Sequence, residues 1–426
     1  MRSRTEVNSR KMGTIVIIGT LDTKGEQIRY VRQEIERLGH KVITMDTSTG
    51  ERSPARADIT CEEVAEAAGT SMAVIRTMKE REKITSFMIS GASKKALEMY
   101  RAGQLDGILS LGGAGAATVG TSVMKALPFG IPKLMVSSAA GIASYAGRWF
   151  GTGDIMMMNT IVDLAGLNEL VKNVLSRAVG SIRGMVEQGL APLPALLSRK
   201  DKPLIAMTED GASEKCASYV RNALKEKGYE VVIFHAQGIG DRAMEEMIDQ
   251  GFFEGVMDIS LIGVSDELFE GNRPGGPHRL EMAGRRGIPH VLAPCGLNLT
   301  GAGPTRKNAE KYASRSRIHK IDELRMGTRL NEEELLLTAQ VIAKKLNKGK
   351  GPAKFFFPLK GWSNYDPPGG ILYAPEEDMI LVRELRRLLR PEIEIIEIDA
   401  NLEEAVFAQA LVDGFERLMV GYRPRA

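Results

Sequence analysis

Gly13-Thr14-Ile15-Val16-Ile17-Ile18-Gly19 is an apolar, largely β-branched run closed by glycine at both ends, and it reads as a strand buried on both faces. A turn, an amphipathic helix through Leu38 and a second strand over residues 41–46 follow it. The same order returns from Lys202: a strand PLIAMT, a polar turn EDGAS, a helix, and the strand EVVIFH at residues 230–235. Tyr30-Val31-Arg32 stands at the same offset from Gly39 as Tyr219-Val220-Arg221 does from Gly228. Two further pairs keep this order: Asp106-Gly107-Ile108 with Glu254-Gly255-Val256, and Ile131-Pro132-Lys133 with Ile288-Pro289-His290. Strands and helices alternating through short connections predict parallel sheets covered on both faces. The chain therefore reads as α/β, with two doubly wound, Rossmann-like parallel-sheet domains arising from a structural duplication.

Residues 1–12 are polar and basic and read as a solvated tail. The first domain is placed at residues 13–195 and the second at 196–426, meeting where APLPALLSRKDKP (residues 191–203) concentrates proline and charge. The second half is expected to continue through a strand at 353–357, a Pro/Gly-rich loop at 361–370, a helix, a strand and a closing helix. That aromatic loop reads as a lid or a subunit contact.

With 426 residues, two domains are the natural size expectation. A net charge of +3, from 57 basic against 54 acidic residues, argues against DNA or general nucleic-acid binding. Three separated cysteines, Cys61, Cys216 and Cys295, form no CxxC pair and fit a reducing, cytoplasmic setting. Apolar runs are interrupted well short of a membrane span, so no membrane role is expected.

In open α/β sheets ligands bind beyond the carboxyl ends of the strands. In the first half those loops carry Thr20, Asp22, Thr23 and Lys24 after strand one, and Asp46 after strand two. After strand three come the small residues Gly112, Gly113, Ala114, Gly115 and Ala116, and Ser137 follows strand four. Residues without bulk let backbone amides close around phosphate oxygens at a helix start. Neither GxGxxG in the first turn nor GxxxxGK[ST] anywhere is present, so a standard NAD fingerprint and a P-loop are both excluded. In the second half the strand ends offer Glu209, Asp210, His235, Asp258, Ser260, Asp266 and Cys295, with His235 and Cys295 the catalytic candidates. The five histidines show no zinc spacing. The basic cluster at 311–320 reads as a solvated face.

GTLDTKGEQ (residues 19–27), SLGGAGAATVGTSVMKALPFGIPKLMVS (110–137), GTGDIMMMNTIVDLAGLN (151–168) and YEVVIFHAQGIGDRAMEEMI (229–248) carry a resemblance over nearly the whole chain. They are similar to the Tm-1-like ATP-binding family, uncharacterised bacterial proteins related to the amino-terminal half of a tomato tobamovirus-resistance protein. That resemblance implies two Rossmann-like subdomains, a homo-oligomer of at least two chains, and ATP with magnesium in the first subdomain. It implies Arg81 as a cation on the phosphates, and Asp22 and Asp154 beside Mg. The family's GLGGSGGT stands here as residues 110–117, SLGGAGAA, with a hydroxyl lost at Ala114 and a glycine at Ala116. A TIM-barrel partner protein is a further implication. The leading expectation is thus a Mg-ATP-binding protein with a second cleft for a metabolite or protein partner. The alternatives are an enzyme acting on a small carboxylate or acyl substrate at an interdomain cleft, and a nucleotide-sensing regulatory or scaffold module.

Overall fold

Successive residues of the opening strand face opposite ways, and this alternation builds the first core. In β1 (Thr14–Gly19), Ile15 and Ile17 enter one buried layer while Val16 and Ile18 enter the other, all at 1% exposure or less. The computed structural model describes residues 12–50, 56–188, 202–303, 310–320, 322 and 326–422. It divides into two compact units, Met1–Ser198 and Arg199–Ala426. The tail at 1–11 and most of the linker at 189–201 lie outside the described residues.

In the first unit β1 is followed by α1 (Leu21–Arg37), whose Ile28, Val31 and Ile35 recur on one face and bury against the sheet. Then come β2 (Lys41–Asp46), α2 (Cys61–Ala67), α3 (Met72–Thr77), α4 (Arg81–Arg101), β3 (Gly107–Gly112), α5 (Ala114–Ala126), β4 (Lys133–Ser137), α6 (Ala143–Phe150), β5 (Met156–Asn159) and α7 (Glu169–Glu187). The five strands are all parallel in the order β2-β1-β3-β4-β5. Reversal of strand order beside β1 opens a crevice between the carboxyl ends of β1 and β3. Local caps fix the helix starts: Thr60 and Glu63 form a reciprocal box at α2, and Asn168 accepts from the Val171 amide at 3.0 Å at α7.

The second unit runs β6 (Leu204–Glu209), α8 (Glu214–Glu226), β7 (Glu230–His235), α9 (Ile239–Asp249), β8 (Gly255–Ser260), α10 (Ile262–Phe269), α11 (Met282–Arg286) and β9 (His290–Cys295). A three-stranded antiparallel ribbon comes next, β10 (Leu299–Gly301), β11 (Ile318–Lys320) and β12 (Met326–Arg329), ordered β10-β12-β11. The chain closes with α12 (Glu332–Lys348), β13 (Ala353–Pro358), α13 (Pro375–Leu388), β14 (Glu394–Ile398) and α14 (Ala405–Val420). The main sheet is parallel, β14-β13-β9-β8-β6-β7. Its first five strands in chain order repeat the arrangement of the first unit, with β14 added at the edge, so the duplication read in the sequence is a duplication of topology. In β13, Phe355 and Phe357 feed one core layer and Phe356 the other.

One face of β8 is polar where a core would be apolar. Asp258 there accepts from Arg279 Nη1 at 2.6 Å and is bonded to Arg279 Nη2, Thr208 Oγ1 and His290 Nε2. Arg279 Nε also reaches Asp241 at 2.9 Å, and its Nη1 reaches Glu245 at 3.2 Å. The network ties α9, β8 and the segment leading to α11 into one block. Asp258, expected at the cleft, is therefore spent inside the fold.

Candidate functional site

At the carboxyl edge of the first sheet, the strand-end loops are laced to one another. Asp46 Oδ1 accepts from the Leu21 amide at 3.1 Å and the Ser48 hydroxyl at 2.5 Å, so this buried carboxylate fastens the start of α1 to the end of β2. The Asp22 amide donates to Ser48 Oγ at 3.1 Å, and Asp22 Oδ2 accepts from the Gly50 amide at 3.3 Å. Asp22 Oδ1 is buried without a hydrogen-bond partner among the described residues. Thr20 and Thr23 share a hydroxyl contact of 2.7 Å. Lys24 donates to the Leu164 carbonyl at 2.7 Å, anchoring the 160–168 loop over this edge. Ser137 Oγ accepts from the Ala139 amide at 3.1 Å.

The small-residue loop separates into two kinds of position. A Cβ on Gly112, whose φ is +145°, would lie 2.6 Å from the Ala116 Cβ, and one on Gly120 would lie 2.4 Å from Ser110 Oγ. Those glycines let α5 pack on β3. A Cβ on Gly113 or Gly115 would meet nothing within 4 Å, so packing does not ask for a glycine at either. Gly113 caps α5 without a side-chain bond, and the first intrahelical bond runs from the Ala117 amide to the Gly113 carbonyl. The preceding amides of Ala114, Gly115 and Ala116 open the helix with no acceptor among the described residues, which is the electrostatics of an anion seat. Arg81 opens α4 and is exposed, with no hydrogen bond or ion pair from a described residue on its guanidinium.

Asp154 is not brought to this edge. It precedes β5, at the amino end of the sheet, where its carboxylate pairs with Lys133 Nζ and accepts from the Gly130 amide at 2.7 Å. Lys133 is buried, with a side chain 1% exposed, and burial lowers its pKa against the pull of Asp154. The pairing of Asp22 with Asp154 beside one magnesium is thus corrected: a parallel sheet sends residues before and after a strand to opposite edges.

The carboxyl edge of the second sheet holds a cavity of about 480 Å³ lined from the ends of β6, β7, β8 and β9, from the ribbon, and from the loop after β13. Asp210, His235, Arg273, His319 and Tyr365 supply its polar and aromatic wall. Asp210 is buried and accepts from the Ala212 amide at 3.0 Å; burial raises its pKa against the influence of Arg273 and His235. Cys295 lies 3.8 Å from Asp210 Oδ1 but is fully buried, and burial pushes its thiol well above the usual range. The nucleophile expected from its strand-end place is therefore a protonated core thiol. The other cysteines are buried too, with Cys61 pushed up to about 12 by burial and Cys216 raised by the same cause. The first part of the 361–370 loop is packed into the unit, whereas Pro367, Pro368 and Gly369 are exposed. Trp362 is 2% exposed, with its ring tilted against Phe357 at 5.5 Å between centroids, and Asp366 accepts from the Trp362 amide at 3.0 Å and from Ser363 Oγ at 2.6 Å.

Family models match both units. The N-terminal domain of the uncharacterised protein family UPF0261 covers residues 13–191 and its C-terminal domain residues 202–419. The chain belongs to the UPF0261 family. A UPF0261 protein of Clostridium tetani is 34% identical over 95% of this chain and 98% of its own. The ToMV resistance protein Tm-1(GCR237) of Solanum lycopersicum is 30% identical over 94% of this chain and 55% of its own length, so the chain spans about half of the tomato protein. Among solved structures, the ADP-heptose lps heptosyltransferase II of E. coli aligns over 96% of this chain and 99% of its own at 12% identity. Its TM-score of 0.21 is too slight to carry any argument. No helix among the described residues of this UPF0261 protein is long and apolar enough to cross a membrane.

Arg273, the ribbon and a buried acid of the second unit, Asp378, carry no mark in the sequence. Asp378 bonds to Arg329 Nη2 and accepts from Asn298 Nδ2 at 3.0 Å, while its Oδ2 and Asn298 Oδ1 are buried without partners among the described residues. Burial pushes its carboxyl up to about 7 against Arg329. The native state then holds a proton that the unfolded chain, near 3.8, has released. Stability should fall as pH rises through that window, by up to a few kcal/mol at ~1.4 kcal/mol per pKa unit. Urea midpoints of wild type and Asp378→Asn at about pH 5 and about pH 8 test this. The wild-type drop should exceed that of the variant, and equal slopes would remove Asp378 as its source.

Proposed function

We propose that this UPF0261 protein binds a nucleotide, ATP with magnesium, at the carboxyl edge of its first unit. The observation that carries the reading is the open space over Gly113 and Gly115, directly above the unfilled amides of α5 and beside the β1–β3 crevice. Those amides would take phosphate oxygens, with Thr20, Thr23 and Ser137 as neighbouring hydroxyls and Arg81 as the cation at the start of α4. Among the described residues no group of three or more His, Cys, Asp or Glu could hold a metal. Magnesium would accordingly arrive on the phosphates, with Asp22 and its unpartnered Oδ1 as the nearby carboxylate. Bound magnesium would neutralise phosphate charge, which lets an edge with few cations accept a polyphosphate.

Calorimetric titration with ATP, with and without magnesium, tests this on wild type, Arg81→Ala and Gly115→Glu. Gly115 is exposed in the first turn of α5, where an acidic residue suits the helix dipole, so Gly115→Glu should keep the wild-type melting temperature. It should weaken Mg-ATP by at least ~tenfold through charge repulsion at the phosphates. Absence of any ATP binding by wild type would sink the reading. Unchanged affinity in Gly115→Glu would move the nucleotide elsewhere.

A further inference from the structure

The cavity of the second unit lies apart from the nucleotide reading and has its own chemistry. We propose that it binds a small monocarboxylic acid with a hydrocarbon or aromatic body, held by its carboxylate on Arg273.

Arg273 is the anchor because the fold has already fixed it. Asp266, with a fully buried side chain, accepts from the Arg273 amide at 3.0 Å and from its Nε at 3.4 Å. The remaining oxygen of Asp266 is filled by Thr300 Oγ1 at 2.9 Å and the Gly301 amide at 2.7 Å. Its charge is thus used to hold the inner side of the guanidinium, while the Arg273 side chain stays 23% exposed and lines the cavity. The nearest other acid, Asp210, stands 3.7 Å from Nη1, beyond hydrogen-bond reach. That ion pair is too long for a hydrogen bond, so neither Nη1 nor Nη2 of Arg273 has a hydrogen-bond acceptor among the described residues. A planar guanidinium preset in this way matches a carboxylate in two-point contact.

The rest of the wall selects the body that the carboxylate carries. Ile262, Leu299 and Leu372 form a small buried apolar cluster with Tyr365 packed against it, and His319 lies on the Tyr365 ring at 5.1 Å between centroids and 34° between planes. No lysine and no second arginine lines the cavity among the described residues, so a polyphosphate finds a single cation here. About 480 Å³ suits a small ligand bound between one charged anchor and an apolar floor.

The full-length chain is titrated calorimetrically with benzoate and isovalerate, and separately with benzamide and isovaleramide, which share their shapes without the charge. The acids should bind at least ~tenfold more tightly than the amides, and Arg273→Gln should erase that difference. Because Asp266 loses a partner in Arg273→Gln, Met326→Trp supplies an independent arm: the added indole fills the cavity from the ribbon and should abolish acid binding with Arg273 intact. The proposal is overturned if neither acid binds at millimolar concentration, if the amides bind equally, or if inorganic phosphate displaces the acids as well as they displace each other. Acid binding that stays at wild-type strength in either folded variant overturns it also. The Mg-ATP titration reads a different unit, so failure of one proposal leaves the other standing.

Discussion

Arg279→Ala should destabilise the second unit by about 3–5 kcal/mol, the usual consequence of stripping the cation from a buried ionic network. The residue is 1% exposed and holds Asp241, Asp258 and Glu245 together. Against burial, Arg279 and His290 keep the Asp258 carboxyl below the usual range, while burial raises Glu245 despite Arg279. Without the guanidinium, those acids have to take up protons or face one another in a site closed to water. A loss of this size is a large share of a domain's ordinary margin of roughly 5–15 kcal/mol. The two tryptophans, Trp149 and Trp362, fall one in each unit, so urea titration followed on single-tryptophan forms assigns the loss. The Trp362 transition should move and the Trp149 transition should not. Arg279→Lys should fall between, since one ammonium cannot span the same carboxylates. A shift below about 1 kcal/mol in the alanine variant would mean the network contributes little.

Asp154→Asn should cost the first unit about 3 kcal/mol and leave magnesium-dependent ATP affinity unchanged. Its partner Lys133 would keep the Pro128 carbonyl at 2.8 Å but lose its only ion pair among the described residues. The deficit should narrow as pH is raised, because burial has already lowered the lysine's pKa and the unpaired ammonium sheds its proton more readily. Chemical denaturation at two pH values checks the stability, and calorimetry the affinity. Loss of magnesium dependence with stability intact would restore Asp154 as a metal ligand.

The fold was legible because its strands are long enough to carry β-branched runs between glycines. GTIVIIG and EVVIFH could be placed from residue type alone, and β1 and β7 lie there. β5 escaped notice, since Met156–Asn159 is four residues at the sheet edge with no β-branched or aromatic side chain among them. The ribbon strands are three or four residues long, too short for an alternating pattern to register. At the first site, the strand-end rule gathered Thr20, Asp22, Asp46, Gly113 and Ser137 at one edge. Asp154, carried over with the resemblance, does not join them, and the sequence marks why: it stands two residues before the apolar run of β5, hence at that strand's amino end. Arg273 had no such mark. It sits in GNRPGG, and its bond to Asp266, seven residues back, exists only once the turn after α10 closes. His235 was found by its position at the end of β7, and Cys295 by the same rule, which says where a residue lies along a strand but not whether water reaches it.

The three buried thiols have a practical consequence for this two-unit chain. Cys61 belongs to the first unit, and Cys216 and Cys295 to the second. Each is held as an unreactive thiol in the native state, so a modifying reagent gains access only when the surrounding unit opens. Mass-resolved labelling therefore counts openings separately at each address, without any engineered probe, and times the opening of each unit at its own cysteines.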